Sequence, residues 1–264
     1  MLKNLLLGNK YLQPLYEFLF KVALKGMNYD RGHIPDHSGE RYVLELLQKN
    51  AQQDKLMIFD VGANTGQYAE VVINTLKKDF QLHSFEPQKE AFSKLKDVSN
   101  APFFFPHQLA VGSEQGELEL FYNREGSVFA SMFPSSYQNY DISLDKSQKV
   151  PVIRLDDFCK EKNIQRIDLL KIDVEGYEIE VLKGCKELIK EKKVQMIQFE
   201  FGIASIKARI FLEDFFSLLA DYDIYRILQN GIRKIHYSEY AELFLTTNYL
   251  AIRKNKPLQD LDSL

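Results

Sequence analysis

The sequence is poor in several things, and each shortage narrows what it encodes. It has only two cysteines, Cys159 and Cys185, far apart and with no histidine or second cysteine at ligand spacing. That excludes a disulfide framework and a zinc site, and it suits a reducing, cytoplasmic compartment. It has no surplus of basic charge: 34 Lys and Arg against 37 Asp and Glu leave −3 at neutral pH. No positive field therefore recruits nucleic acid. Long apolar runs are also missing. Near the start, Lys3, Lys10, Glu17, Lys21 and Lys25 interrupt every apolar stretch, and no small-residue cleavage site follows Leu5–Leu7. Neither a membrane span nor a secretion signal is expected. No internal repeat or low-complexity tract stands out.

What remains is 264 residues with 45% hydrophobic and 27% charged side chains, enough for one sizeable α/β domain with an appendage. The organising stretch is 56–66. An apolar run of strand length, Leu56-Met57-Ile58-Phe59, ends in Asp60-Val61-Gly62, and Ala63-Asn64-Thr65-Gly66 leads into a helical pattern. A second apolar strand, 81–85, delivers Glu86 and Pro87. Strand, glycine turn, helix, strand and terminal acid form the first half of a nucleoside-binding unit. Gly62 and Gly66 permit positive φ and close backbone approach. Glu86 can accept two hydrogen bonds from ribose hydroxyls. A dinucleotide fingerprint needs a middle glycine, and here that place is taken by Asn64. The gap suits a nucleoside without a diphosphate, such as S-adenosylmethionine, whose amino-acid ammonium Asp60 could hold directly or through water.

The first part of the chain, 1–50, reads as a helical extension ahead of a domain at 51–264. After Pro14, the residues Leu15, Phe18, Leu19, Val22 and Ala23 fall on one helical stripe, which Phe20 and Leu24 widen. Packing on the domain is the plain expectation for this helix; a second subunit or a membrane surface is the alternative. A polar loop at 29–39 carries His33 and His37 and enters near the ligand. Ser38 is expected to cap a helix over 39–48 with Leu44 and Leu47 inward.

Beyond Glu86, a third strand around 103–105 leads to Gln108, Leu109 and Ala110, which could line an adenine. Gly116 turns the chain into an alternating strand, 117–122, read as a local hairpin on the sheet. The irregular stretch 124–150, with Ser127, Ser131, Ser135, Ser136, Tyr137 and Tyr140, reads as a substrate-side lid. Asp156 is expected to cap a helix over 157–162. A fourth strand, 167–174, has its apolar run broken by Lys171 and ends at Asp173, facing the same crevice as Asp60 and Glu86. Glu175 and Gly176 are expected to open a helix running through Ile189. A fifth strand delivers Glu200. A helix over 206–219 follows, then closing strands at 224–228 and 248–252 around a turn at Asn230-Gly231 and a lone His236.

Two stretches, Phe59-Asp60-Val61-Gly62-Ala63-Asn64-Thr65-Gly66-Gln67-Tyr68 and Lys171-Ile172-Asp173-Val174-Glu175-Gly176-Tyr177-Glu178, resemble the FkbM family of S-adenosylmethionine-dependent methyltransferases. Phe85-Glu86-Pro87, Ala110-Val111-Gly112 and Leu155-Asp156-Asp157 match its pattern as well. The resemblance spans roughly 39–253. It implies a Rossmann-like class I methyltransferase fold: a mostly parallel seven-stranded sheet with an antiparallel last strand. It also implies methyl transfer, usually to oxygen, on a sugar, glycolipid or secondary metabolite. On this reading Asp60, Gly62, Asn64, Thr65, Gly66, Glu86 and Ala110 bind the cofactor. Asp173, Glu200 and His236 are candidate bases, and Lys171 and Glu175 face the acceptor. Asp173, Glu175 and Glu200 could instead hold a divalent ion, but their spacing does not demand one and no metal is assigned. The rivals are a nicotinamide-dependent oxidoreductase, disfavoured by Asn64, and a catalytically silent cofactor-binding module.

Overall fold

The computed structural model of the chain describes residues 7–32, 38–124, 126, 130–133, 136–137 and 142–254. His33, His37, Ser127, Ser135 and Tyr140 lie outside the described residues. The main sheet begins with β1 (Lys55–Val61), β2 (Asp79–Phe85) and β3 (Phe104–His107). After the short β4 (Ala110–Val111), β5 (Gly116–Tyr122), β6 (Ser136–Tyr137), β7 (Ile142–Ser143) and β8 (Lys146–Ile153), it resumes with β9 (Ile167–Ile172) and β10 (Val194–Phe201). It closes with β11 (Tyr222–Leu228), β12 (Gly231–Lys234) and β13 (Thr247–Arg253). The order is β12-β11-β13-β10-β9-β1-β2-β3. Strands β3, β2, β1, β9 and β10 pair in parallel, and β13 runs antiparallel between β10 and β11. The sheet therefore has the expected seven strands with the last one antiparallel, plus an eighth. The addition is β12, four residues that fold back on β11 after the Asn230-Gly231 turn.

Nine α-helices are described: α1 (Gln13–Gly26), α2 (Glu40–Lys49), α3 (Gln67–Thr75), α4 (Lys89–Lys96), α5 (Leu155–Glu161), α6 (Glu178–Gly184), α7 (Lys186–Lys190), α8 (Ile203–Ala208) and α9 (Leu212–Leu218). They cover both sheet faces, which explains why β1, β2, β9 and β10 are buried along most of their length rather than at alternate residues. On one face Leu56, Ile58, Leu169, Met196 and Leu250 pack with Val43, Leu44 and Leu47 of α2 and Ala69 and Val72 of α3. On the other, Phe59, Val61, Leu170, Ile172 and Phe199 pack with α5, α6 and α9. Period-two geometry then decides where the polar residues go. Positions 60, 171 and 198 follow 58, 169 and 196 onto the α2–α3 face, and the register sets Asp60 beside Lys171 and Lys171 beside Gln198.

Several local expectations are corrected. Strand β5 is not appended to the main sheet: among the described residues it makes one local antiparallel bridge, Phe121 with Ser131, and otherwise pairs with β8 across a long excursion, in a separate sheet of order β4-β8-β5. The irregular stretch accordingly ends at β8, earlier than Val150. Ser38 is not the cap of α2. That place belongs to Gly39 at φ 77°, where a Cβ would run into the Leu228 carbonyl. Asp156 caps a different helix from the one expected: its carboxylate accepts the Glu187 and Leu188 N–H groups at 3.2 and 3.0 Å, at the start of α7. The helix expected over 206–219 is broken by Arg209, which sits at φ 57°. The plain expectation for α1 fails too, because only its Leu24 is buried.

Candidate active site

The carboxyl ends of β1, β2, β9 and β10 surround a cavity of about 660 Å³. Gly62, Asn64, Glu86, Leu109 and Ala110 line one side, and Lys171, Asp173, Glu175 and Glu200 the other. From the excursion between β5 and β8, Ala130 and Met132 reach the wall, and Glu40 and Tyr68 contribute from α2 and α3. Gln108 does not line it.

The glycine turn is clipped to the neighbouring strand: the N–H groups of Gly62 and Ala63 both donate to the Phe85 carbonyl at 3.0 Å. Gly62 has φ 87°, and a Cβ there would collide with the Asp173 carbonyl. Its missing side chain therefore makes room for the end of β9, and Gly62 also lines the cavity. Gly66, at φ 93°, leads into α3, and a Cβ would meet the Val98 side chain. Thr65 and Gly66 shape the turn but do not line the cavity; the Thr65 N–H donates to the Asn64 side-chain oxygen at 2.7 Å.

Glu86 is buried and fixed at both oxygens. One accepts the Asn64 N–H at 2.9 Å and the other the Gln88 N–H at 2.7 Å. Each oxygen keeps a second lone-pair site for a ligand hydroxyl. Burial pushes the carboxyl up to about 7, against the pull of these two amides.

Asp60 is completely buried and is not among the residues that line the cavity. Its nearest counter-ion is the Lys171 ammonium at 3.6 Å, and neither of its oxygens has a hydrogen bond among the described residues. Burial raises it to about 6, although Lys171 lowers it. Lys171 also lies 3.1 Å from Asp173 and 4.9 Å from the Tyr68 ring centre. Burial alone would lower this lysine, but Asp173, Asp60 and Glu40 outweigh it and hold the ammonium charged.

Asp173, Glu175 and Glu200 each bring an oxygen within 4.8 Å of the others. Glu175 does not open a helix as expected. It sits at φ 51° in a turn that precedes α6. Glu178 builds that turn: one of its oxygens accepts the N–H groups of Val174 and Gly176 at 3.2 and 3.1 Å. Ser131 ties the β5–β8 excursion to it by donating to the Glu175 carbonyl at 2.8 Å. Burial first, then the neighbouring acids, raise Glu175 and Glu200 well above the carboxylate range. His236 is exposed and does not line the cavity, so it is not brought to the other candidates. Glu40 was missed. Its signal was present, since it lies four and seven residues before Leu44 and Leu47, on their buried stripe.

A family model for the methyltransferase FkbM domain matches residues 60–220. The chain belongs to the FkbM methyltransferase family. FkbM relatives include hexuronic acid methyltransferase AglP of Haloferax volcanii, 27% identical over 64% of this chain and 66% of that one. Another is 2-O-methyltransferase NoeI of Sinorhizobium fredii, 25% identical over 73% of this chain and 81% of that one. A third is 31-O-demethyl-FK506 methyltransferase FkbM of Streptomyces tacrolimicus, 26% identical over 50% and 60%. The chain thus aligns with just under two thirds of AglP. The solved methyltransferase FkbM from Methylobacillus flagellatus superposes with a TM-score of 0.49 at 18% identity, covering 75% of this chain and 44% of that one. Strand order and direction are those of the Rossmann-like class I methyltransferase fold.

Proposed function

We propose that this chain is an S-adenosylmethionine-dependent methyltransferase that methylates a hydroxyl on a sugar, glycolipid or secondary metabolite. One observation carries the cofactor reading: among the described residues, six acidic side chains line the cavity against one cation, Lys171. That balance suits a sulfonium and an ammonium and repels a pyrophosphate, which disfavours the nicotinamide alternative. When bound, the cofactor supplies an electrophilic methyl group. Glu86, held by two backbone amides, would accept hydrogen bonds from the ribose hydroxyls, and Ala110 and Leu109 would flank the adenine. Asp60 acts from behind the wall by holding Lys171. Lys171 in turn fixes Asp173 at the acceptor side. Asp173 or Glu200 takes the proton from the acceptor hydroxyl, a step worth about 10²–10⁴-fold. Glu175 faces the acceptor. The rest of the acceleration comes from holding oxygen, methyl and leaving sulfur in line, which supplies up to about 7–11 kcal/mol.

The names of the relatives, which specify a hexuronic acid, a 2-O position and a 31-O position, support a hydroxyl-bearing small molecule or glycan as acceptor. Two free, buried cysteines agree with a cytoplasmic setting. Among the described residues no helix is long and apolar enough to cross a membrane. The exposed α1 offers a contact for a membrane surface or a second subunit. Calorimetry with S-adenosylhomocysteine and with NAD tests the reading. Micromolar binding of the first and none of the second is expected, and the reverse would overturn it.

A further inference from the structure

Helix α1 carries its apolar stripe on the outside. Leu15, Phe18, Leu19 and Val22 fall within one face at 3.6 residues per turn, and each is between 49 and 62% exposed. Leu24, the one buried residue of the helix, lies on the opposite face. The stripe therefore points away from the domain. Lys21 and Lys25 flank it along one edge, and Lys10 precedes the helix. Against the single Glu17 these leave the segment positive in a chain whose net charge is −3.

The root of the helix is fixed. Asn28 donates to the Ile227 carbonyl at 3.2 Å, and Arg226 donates to the Tyr29 hydroxyl at 3.0 Å while stacking on its ring. A few residues on, the Gly32 N–H bonds the Thr246 carbonyl at 3.2 Å, and Asn248 donates to the Gly32 carbonyl at 3.3 Å. Gly32 and Thr246 both line the cavity. The helix is thus tied to the rim of the active site, with its greasy face turned outward.

We propose that this stripe seats the protein on an anionic lipid bilayer, with the cavity rim held beside the bilayer surface. An apolar face bordered by lysines is the pattern of a helix that lies in the headgroup region. The lysines favour negative headgroups within a Debye length. The same positive charge weighs against the other occupant, since a second copy would set like-charged helices against each other. This inference deepens the partner reading above and does not depend on methyl transfer.

The test is co-sedimentation of the full chain with phosphatidylcholine vesicles, alone or carrying roughly a third phosphatidylserine, at low and high salt. S-adenosylhomocysteine calorimetry on the same samples reports the cofactor site separately. We expect partitioning onto the anionic vesicles, about tenfold weaker onto neutral ones and at high salt. Phe18→Glu with Val22→Glu should weaken it about tenfold or more, and Lys21→Glu with Lys25→Glu should act similarly, both with unchanged melting and cofactor affinity. The variants alter only exposed side chains, so a folding failure is not the expected cause of loss. No sedimentation with anionic vesicles, equal sedimentation with neutral ones, or undiminished sedimentation of the first variant would overturn the proposal. So would a stable dimer, seen by light scattering, that the first variant dissociates.

Discussion

The Lys171 ammonium lies 3.1 Å from a carboxylate oxygen of Asp173, two residues further along the same strand end. The pair is a hinge between two environments, because the lysine is buried while Asp173 opens on the cavity. Removing the lysine leaves Asp60 and Asp173 without their cation, and Asp60 is completely buried. Stripping one member from a buried pair costs about 3–5 kcal/mol. Lys171→Met should therefore lower the melting temperature by on the order of 10 °C. Adding Asp60→Asn should recover part of the loss, since the stranded charge is then gone. A Lys171→Met protein that melts like the unaltered chain would remove the lysine from its structural role.

Glu86 sets a pH dependence for cofactor binding. The ionised carboxylate accepts ribose hydroxyls, whereas its protonated form spends one oxygen as a donor. Burial has raised this group to about 7, so the competent form dominates above that pH and is lost below it. Affinity for S-adenosylhomocysteine should be flat at high pH and about tenfold weaker one unit below the midpoint. Glu86→Gln should bind weakly at every pH with this slope removed. Calorimetry from pH 5.5 to 8.5 on both proteins gives the comparison. A wild-type affinity that does not change with pH would mean that Glu86 is ionised throughout or is not a ligand.

Much of this was legible in the sequence because strand-end chemistry has a fixed place. Once 56–61, 81–85, 167–174 and 194–199 read as parallel strands, Glu86, Asp173 and Glu200 had to meet at one edge. The family pattern added the seven strands and the antiparallel last one, and the sheet bears this out with one strand more. What stayed hidden depends on tertiary contact. Nothing local says that Gly62 makes way for the Asp173 carbonyl, or that Asp60 is sealed behind Lys171. Asp156 caps a helix distant in sequence, and β5 finds its main partner in β8, beyond the single bridge to Ser131. The stripe on α1 was visible, but a stripe has the same period whether it faces a core or a solvent.

Proton acceptance should divide between Asp173 and Glu200 in a way that mutation resolves. Glu200 is held well above the carboxylate range by burial and then by Asp173 and Glu175, whereas Asp173 has Lys171 to stabilise its charge. Asp173→Asn and Glu200→Gln should each leave S-adenosylhomocysteine affinity within about threefold, because neither lines the side of the cavity where Glu86 sits. The variant that loses the base should fall about 10²–10⁴-fold in turnover on an acceptor found by screening sugars and glycolipids with labelled cofactor. Equal, full activity in both would move proton transfer to solvent or to the acceptor itself.

A chelation experiment decides between that role and metal binding for the same three acids. Asp173, Glu175 and Glu200 could present a trio of oxygens to one cation. A divalent ion there would stand close to the Lys171 ammonium, which already takes the Asp173 carboxylate. Two positive centres sharing one carboxylate in a partly desolvated site repel strongly. Magnesium also asks for six oxygens in octahedral array, of which the trio would provide half. Turnover should therefore survive exhaustive treatment with EDTA and change less than about twofold when magnesium or manganese is restored. Loss on chelation with recovery on magnesium would show that the cluster holds an ion during turnover. In that event Lys171→Met should tighten metal binding in titration calorimetry, because the competing charge is gone.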